Sequence, residues 1–397
     1  MPSTRHSMRH VWYVTFAHTA IDFYMTLFPP LLALFKTHFG LSLIQASLLP
    51  TVVIVFGAIP QPFMGYLGDR TNRMALAALG LLICGAFVSA IGFAASAPIL
   101  ALFLIAASLG SSLFHPTGGG LATASAPHRS NLAMAIFLTG GTLGMAIAPV
   151  TGTHIVERYG FERLWMLVFP ALIGSALLFR LSRQGRQGEN AAPASRISFA
   201  FLKTAAVRPL WTLYVISVCR NLVYNAFINF TSILGQEDRG WTAGRVGWVL
   251  STFLAATLLG RLTGGYLGDR VTPRKLLALS CALSPVFFIG FCFTDGLAAL
   301  ALFFLAGFLY DTGATTNIVL AQRVLPQNTS TATGMVMGFA WATTGLLMPL
   351  IGTLANAFSI AAALAIASVL LFPAAALVGL LPAERREGTA EEVNRQR

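Results

Sequence analysis

The hexapeptide GYLGDR occurs twice in the chain, at residues 65–70 and again at residues 265–270, an interval of 200 residues. At the same interval three further residues recur without a gap: Pro149 and Pro349, Gly152 and Gly352, and Thr153 and Thr353. Internal repeats of this length indicate two structurally related halves. The repeated hexapeptide therefore predicts a fold built twice from the same plan.

The composition indicates which solvent surrounds the fold. Of 397 residues, 56% are hydrophobic and only 10% are charged, and the mean hydropathy is +0.72. Soluble proteins carry about a quarter charged residues, so this chain is expected to lie in lipid and not to be a soluble enzyme. The cysteines all lie in apolar runs and are interpreted as small buried hydrophobic residues: Cys84, Cys219, Cys281 and Cys292.

Twelve apolar segments are long enough to cross the roughly 30 Å of bilayer hydrocarbon as helices. The predicted spans 1 to 12 cover residues 11–35, 43–66, 75–95, 98–122, 132–156, 163–181, 209–235, 245–267, 275–293, 297–320, 332–356 and 358–381. We expect an all-α membrane protein with its twelve transmembrane helices in two pseudo-symmetric six-helix bundles. The predicted bundles are residues 1–181 and 208–381, with a cytoplasmic linker at 182–207 and a tail at 382–397.

The Lys and Arg residues predict the orientation, because they are enriched in cytoplasmic loops. Most of the 26 fall on one side if both termini are cytoplasmic. Five fall outside: Lys36, Arg158, Arg163, Arg239 and Arg245. The net charge of +12 is then explained by contact with anionic lipid headgroups, and no nucleic-acid partner is expected.

Each copy of the hexapeptide falls at the predicted cytoplasmic end of a span. Gly65 and Gly265 would allow close approach of another helix, and the following acid and base could pair at a helix end. The alternative is an ordinary positively charged turn. Two copies at matched positions favour the ion pair over this alternative.

The wider pattern G-x-L-x-D-R-x-G-R resembles the loop 2–3 signature of the major facilitator superfamily of transporters, with Asn72 in place of the usual Gly. The resemblance implies the major facilitator fold and a cytoplasmic gate that closes in the outward-open state. The implied gate residues are Gly65, Asp69, Arg70, Arg73, Gly265, Asp269, Arg270 and Arg274.

Polar residues within the spans concentrate in spans 1, 4, 7 and 10, which the resemblance identifies as the lining of a central cavity. Polar and ionisable residues inside a membrane are costly and mark functional sites. The predicted substrate-cavity residues are Ser111, Ser112, His115, Asn221, Asn225 and Thr315. Ser108 continues the polar stripe of span 4.

Four residues are candidates for proton coupling: Asp22, His18, Asp311 and Arg220. A buried carboxyl group can exchange a proton, and His18, one turn from Asp22, could relay it or could simply pack between helices. Arg220 keeps its charge, so it would hold a carboxylate ionised or bind an anionic cargo. A permanent Asp311–Arg220 ion pair is the structural alternative.

Three more residues carry local expectations. Arg261 is expected to extend to the cytoplasmic surface, and Asp295 is expected to cap the turn into span 10. His115 precedes Pro116, so it could alternatively hydrogen-bond a backbone carbonyl freed at the kink.

Span 5 contains GGTLGMAIAPVTGT at residues 140–153, which resembles the G-x3-G-P-x2-G-G motif of superfamily antiporters. Gly144, Pro149 and Gly152 match it, whereas Ala148 and Thr153 replace two glycines. The arginine of the span 4 motif in drug–proton antiporters is missing, with Ala106 near its place.

Three segments resemble the fosmidomycin-resistance group of exporters: GSSLFHPTGGG (110–120), IFLTGGTLG (136–144) and GMVMGFAWATTGLLMPLIG (334–352). His18 and Asp22 also match that group, whereas Thr117 stands where an acidic residue is common. The resemblance implies a monomeric, proton-driven exporter of small anionic or drug-like molecules in a bacterial inner membrane, without a cofactor.

Other functions remain as alternatives. An importer or exchanger of a small organic acid would use the same fold, and a non-transporting sensor would need a signalling domain that the chain does not show. A membrane-embedded enzyme is a remote alternative, because the sequence shows no metal-ligand cluster, no nucleophile with an adjacent base and no phosphate-binding loop.

Overall fold

The computed structural model describes residues 8–126, 129–184, 207–268, 270–325 and 332–382. The side chains at positions 69, 123, 130, 131, 184 and 207 are not described. Asp269, the side chain of Asp69, most of the predicted linker and nearly all of the predicted tail therefore lie outside the described residues.

The first half consists of eight helices, of which the first two form span 1 and the next two form span 2. Their bounds are α1 Met8–Leu27, α2 Leu32–His38, α3 Leu43–Ala58, α4 Gln61–Arg70, α5 Arg73–Ala90, α6 Ala97–Ser125, α7 Ser130–Tyr159 and α8 Val168–Gln184. Short 3-10 turns at Pro29–Leu31, Ile91–Phe93 and Phe161–Leu167 join some of them.

The second half repeats this order, with span 10 and span 12 each divided into two helices. Its helices are α9 Val207–Ile233, α10 Ala243–Gly268, α11 Pro273–Cys292, α12 Gly296–Thr312, α13 Ala314–Val324, α14 Ala340–Ala357, α15 Ile360–Val369 and α16 Leu371–Val378. π-Helical segments, Leu234–Asp238 and Gly334–Phe339, follow α9 and precede α14.

The 200-residue repeat of the sequence also appears in the positions at which helices begin. Helix α3 begins at Leu43 and α10 at Ala243, while α5 begins at Arg73 and α11 at Pro273. Gly40 and Gly240 precede the first pair, and each adopts a φ of +62°, a backbone region that glycine enters without strain. The duplicated chain therefore keeps the same turn before both helices.

Local capping explains several helix starts. Ser42 and Gln45 form a reciprocal capping box at the start of α3, which satisfies two otherwise unpaired backbone N–H groups. Asn72 caps α5 through Ala75 N. Asp295 caps α12 by accepting from Gly296 N at 2.7 Å, so the prediction for Asp295 is confirmed.

Within the described residues, ten helical segments are long and apolar enough to cross a membrane. Spans 1 and 7 are not among these ten segments, although both are helical, as α1 and α9. These two helices carry His18 and Asp22, and Arg220 and Asn225, respectively, so polar content lowers their hydropathy. The polar helices lie beside the site described below.

Polar contacts between the two halves lie at the end of the molecule that contains the loops after spans 1 and 7. Lys36 Nζ lies 2.7 Å from Glu237 Oε1, and Glu157 Oε2 accepts from Gly244 N at 2.8 Å. The halves also meet where α3 packs on α14 and where α7 packs on α10. This set of contacts closes one end of the boundary between the halves.

The two hexapeptide copies make the same local contact. The Arg70 guanidinium lies over the Tyr66 ring at 4.1 Å, and the Arg270 guanidinium lies over the Tyr266 ring at 4.1 Å. Arg274 additionally donates to Gly379 O, within its own half. Each copy thus places its arginine on its own helix end.

The close approach expected at both hexapeptide glycines occurs at only one of them. A Cβ on Gly65 would contact Pro116 at 3.4 Å, whereas a Cβ on Gly265 would have no heavy atom within 4 Å. The expectation for Gly265 is therefore wrong. Its neighbour Gly264 makes the close approach instead, because a Cβ there would lie 2.1 Å from Thr312 O.

Candidate functional site

Three ionisable side chains from α1 and α6 meet inside the first half. His18 Nε2 lies 3.3 Å from Asp22 Oδ2, and His115 Nε2 lies 3.1 Å from Asp22 Oδ1. We call His18, Asp22 and His115 the boundary triad. The Asp22 side chain is 16% exposed and that of His115 is 30% exposed, so the triad can be reached from outside the protein interior.

The second nitrogen of each imidazole faces a backbone carbonyl. His18 Nδ1 lies 2.7 Å from Phe137 O, and His115 Nδ1 lies 2.9 Å from Ser111 O. A carbonyl oxygen only accepts hydrogen bonds, so both Nδ1 atoms must be the donors. The two Nε2 atoms are then the positions where protons can be gained or lost, and both face the carboxylate of Asp22.

Packing holds the triad in this arrangement. The His18 ring stacks on Phe137 at 3.9 Å, with an angle of 8° between the planes. Gly141 of α7 leaves the space that the triad occupies, since a Cβ there would lie 2.4 Å from both Asp22 Oδ2 and His18 Cε1. Neither Phe137 nor Gly141 can be recognised from the sequence as part of the site, because neither side chain carries a polar or ionisable group.

The triad is also the group of described His, Cys, Asp and Glu residues whose geometry could hold a metal ion. The three ligand atoms lie within 4.8 Å of one another, and histidine ligands commonly donate their other N–H to a carbonyl. The cluster is not visible in the sequence, because His115 lies 93 positions from Asp22. Protons on the two Nε2 atoms would satisfy the same contacts without an ion.

A second ionic group lies in the other half, where Asp311 of α12 pairs with Arg261 of α10. Both Nε and Nη2 of Arg261 lie 2.9 Å from Asp311 Oδ2. The expectation that Arg261 extends to the cytoplasmic surface is therefore wrong: its attraction to a nearly buried carboxylate holds it inside. The Arg261 side chain is 41% exposed and that of Asp311 is 4% exposed.

Arg220 does not form the ion pair with Asp311 that was one interpretation of the sequence. Its Nη1 donates to Ser280 Oγ at 2.8 Å and its Nη2 donates to Tyr310 O at 2.7 Å. The guanidinium also lies 4.3 Å from the centre of the Tyr310 ring. Arg220 is 3% exposed, and these hydrogen bonds connect α9 to α11 and α12.

The predicted cavity residues divide by burial. His115, Asn221 and Thr315 are partly exposed, whereas Ser111, Ser112 and Asn225 are buried in this conformation. Ser111 still contributes, because its Oγ lies 3.2 Å from His115 Nδ1. Ser112 Oγ is buried without a hydrogen-bond partner among the described residues, and Asn225 bonds back to Asn221 O.

The carbonyl that His115 contacts is not the one freed at the kink. His115 bonds Ser111 O, whereas Pro116 removes the helical donor to Ser112 O, and His115 also contacts Asp22 from another helix. The carbonyl contact orients the ring, and the carboxylate contact uses the other nitrogen.

The antiporter-like residues of span 5 place α7 between the two halves. A Cβ on Gly144 would lie 2.0 Å from Thr19 O of α1. On the other side, a Cβ on Gly247 of α10 would lie 2.8 Å from Pro149 O and 2.1 Å from Thr153 Oγ1. Gly152 faces Leu27 of α1. The motif therefore permits close packing both within the first half and across the boundary.

Comparison with known proteins agrees with this architecture. The chain is 23% identical over 358 residues to the fosmidomycin resistance protein of Escherichia coli (strain K12), covering 87% of this chain and 86% of that protein. It is 22% identical to the MFS-type transporter YfnC of Bacillus subtilis (strain 168), covering 93% and 91%. It is 24% identical to the multidrug resistance protein MdtG of Yersinia enterocolitica, covering 68% and 67%.

Solved structures show the same fold. A bacterial homolog of the human lysosomal transporter Spinster, inward-facing and unoccupied, superposes with a TM-score of 0.81 at 17% identity, covering 96% of this chain and 98% of that one. The nucleoside transporter NupG gives a TM-score of 0.75 at 12% identity, covering 94% and 100%. The Major Facilitator Superfamily sequence model matches residues 14–244 and 218–396, and the chain is a multi-pass membrane transporter that belongs to this family.

Proposed function

We propose that this protein is a proton-coupled exporter of small anionic or drug-like molecules that works by alternating access. The observation that carries the proposal is the boundary triad, in which one carboxylate faces two imidazole nitrogens that can each hold a proton. Ionisable groups placed within a membrane and reachable by water are the usual elements of proton pathways.

The proton step follows from the hydrogen-bond roles in the triad. With Asp22 ionised and both imidazoles neutral, two nitrogen lone pairs face a carboxylate, and neither contact holds a proton. Adding protons to both Nε2 atoms converts the two contacts into charge-assisted hydrogen bonds. A cargo that donates hydrogen bonds to Asp22 would compete with these protons, and such mutual exclusion is what exchange of cargo for protons requires.

Alternating access is supported by the contacts between described residues that close the end of the boundary at the loops after spans 1 and 7. With the orientation predicted by Lys and Arg residues, the closed end is the outer one and the hexapeptide end faces the cytoplasm. In that orientation both termini are cytoplasmic, and we propose a monomer in a bacterial inner membrane. Related proteins named for fosmidomycin and multidrug resistance support export as the direction.

A second candidate function is uptake of a small organic acid together with protons. The observation that favours it is the sign of the charges: two protons change the triad from a net charge of −1 to +1, and a positive triad attracts an anion. Anion and protons would then cross together. The direction of proton movement that accompanies cargo separates this candidate from the exporter.

The deciding experiment uses proteoliposomes containing a pH-sensitive dye, treated with a chelator so that protons are the only ions bound by the triad. Fosmidomycin and a small panel of organic anions are added on one side. Proton movement opposite to cargo supports exchange, and movement with cargo supports the uptake candidate. Cargo movement with no proton flux would reject both forms of coupling.

Asp22→Asn tests whether the triad carries the protons. We expect the cargo-driven proton flux to fall to that of liposomes without protein, because the neutral amide no longer stabilises protons on the two Nε2 atoms by charge-assisted hydrogen bonds. Asp295→Asn is the matched control, since asparagine also caps helices well and Asp295 lies outside the site. Flux that persists in Asp22→Asn would move the coupling to Asp311.

A further inference from the structure

We infer that the free edge of Arg261 is an anion-binding site for the cargo. This inference rests on the proposed transport function and names the chemical class of the cargo: a molecule with a carboxylate or phosphonate group. Neither the sequence motifs nor the names of related proteins point to Arg261.

The two partners of the Arg261–Asp311 ion pair differ in exposure. Asp311 is nearly buried, but Arg261 is 41% exposed at its side chain. Full burial would give a purely structural ion pair between these helices its strongest attraction. The exposed side of the Arg261 guanidinium is available to a second anion.

The ion pair leaves part of the Arg261 guanidinium without a hydrogen bond. Asp311 uses a single oxygen, Oδ2, to accept from both Nε and Nη2. No hydrogen bond involves Nη1 of Arg261 among the described residues. Since a guanidinium offers five N–H donors in a planar fork, an anion can bind at the Nη1 edge while Asp311 keeps its place.

The side chains near the Arg261–Asp311 pair in the second half include aromatic rings. Tyr310 precedes Asp311 in α12, and its ring centre lies 6.1 Å from that of Tyr224, which in turn lies 6.0 Å from that of Trp341. An anion at Arg261 would thus bind on the side of the second half that carries this aromatic group.

Arg220 is the competing candidate, and its contacts exclude it. Three of its five N–H donors bond Ser280, Cys281 and Tyr310, and it is almost completely buried. A cargo could reach Arg220 only if these contacts were broken. Arg261 requires no such rearrangement.

Equilibrium binding to the purified full-length protein tests the inference without any proton gradient. The probes are benzoate and phenylphosphonate, with benzamide as the uncharged isostere of benzoate, followed by isothermal titration calorimetry. We expect the wild type to prefer benzoate over benzamide by about tenfold, because the anion makes charge-assisted hydrogen bonds. Equal binding of the two probes by the wild type would overturn the inference.

Three variants locate the preference for benzoate. Arg261→Gln should reduce the preference for benzoate to about one, whereas Arg245→Gln, at an ion pair with Asp295 on the protein surface, should retain it. Asp311→Asn should strengthen benzoate binding several-fold, because it releases the Nε and Nη2 edge for the anion. A gain of affinity cannot result from misfolding, so this variant remains informative if Arg261→Gln is unstable.

The outcomes separate this inference from the proposed function. An unchanged benzoate preference in Arg261→Gln would overturn the anion site even if proton flux depends on Asp22. A lost preference in Arg261→Gln together with proton-independent cargo movement would support the anion site and reject the proton coupling.

Discussion

The two halves of this transporter share a backbone plan but hold different chemistry at the boundary between them. In the first half a carboxylate faces two histidines, and in the second half a carboxylate faces an arginine. The interval of 200 residues aligns His115 with Thr315 and Asp311 with Ser111. The duplication thus preserved the helix positions, while single substitutions on matching faces gave one half exchangeable protons and the other a permanent cation.

The four polar spans do not form one uniform cavity lining. Arg220 and Arg261 both lie within spans of the second half, but Arg220 is buried and hydrogen-bonded to its own half, whereas Arg261 is partly exposed. The distinction between structural and functional polar residues depends on which donors are already used. The following predictions test the distinction in order of decreasing effect.

The largest effect is expected for Arg220→Gln. The change removes a buried cation whose donors reach α11 and α12, and hydrogen bonds to charged groups contribute about 1.5–3 kcal/mol each. We expect a loss of stability of roughly 3 kcal/mol, measured as a lower unfolding temperature in detergent. Arg261→Gln is the matched variant and should lose much less, because that side chain is partly exposed. Equal losses would remove the contrast between the two arginines.

Gly141→Ala should disturb the boundary triad directly. The new Cβ would lie 2.4 Å from Asp22 Oδ2 and from His18 Cε1, and overpacking of this kind costs about 1–3 kcal/mol. We expect the triad to be displaced and the cargo-driven proton flux to fall with it. Gly57→Ala is the control, since a Cβ there meets no heavy atom within 4 Å. Full flux in Gly141→Ala would show that the triad geometry is not needed.

Lys36→Met should weaken the contact that closes the outer end of the boundary. The Lys36–Glu237 pair lies near the surface, where ion pairs contribute about 0.2–1 kcal/mol. We expect at most about a fivefold shift toward the opposite conformation, measured by distances between spin labels on the two halves. Arg245→Gln breaks an ion pair within one half and should leave the distances unchanged. A shift of the same size in both variants would count against a role for Lys36 in closure.

The smallest effect is expected at the second hexapeptide. Gly265→Ala places a methyl group in open space, so the better helix propensity of alanine should give a gain of up to about 1 kcal/mol. Gly264→Ala, one residue earlier, would drive a Cβ to within 2.1 Å of Thr312 O and should destabilise. Comparing their unfolding temperatures checks which glycine permits the helix contact. Opposite signs are expected, and a loss at Gly265 would contradict the open space there.

Much of the fold could be predicted from the sequence by itself. Apolar segment lengths and the repeated GYLGDR determined a membrane protein of two related helical halves, because the bilayer thickness limits helix length and because duplication preserves spacing. The sequence also identified Asp22, His18, His115 and Asp311 as ionisable residues in apolar surroundings. These conclusions depend only on local composition and periodicity.

The tertiary structure alone decided which of these residues meet. His115 contacts Asp22, which lies 93 positions away in the sequence. Asp311 pairs with Arg261, 50 positions away, and not with Arg220. Such pairings depend on helix rotation and on glycines such as Gly141 and Gly264 that let helices approach, and neither is encoded by the spacing within one helix. Chemistry at the boundary was therefore visible in the sequence as a set of candidates, and packing between helices selected the partners.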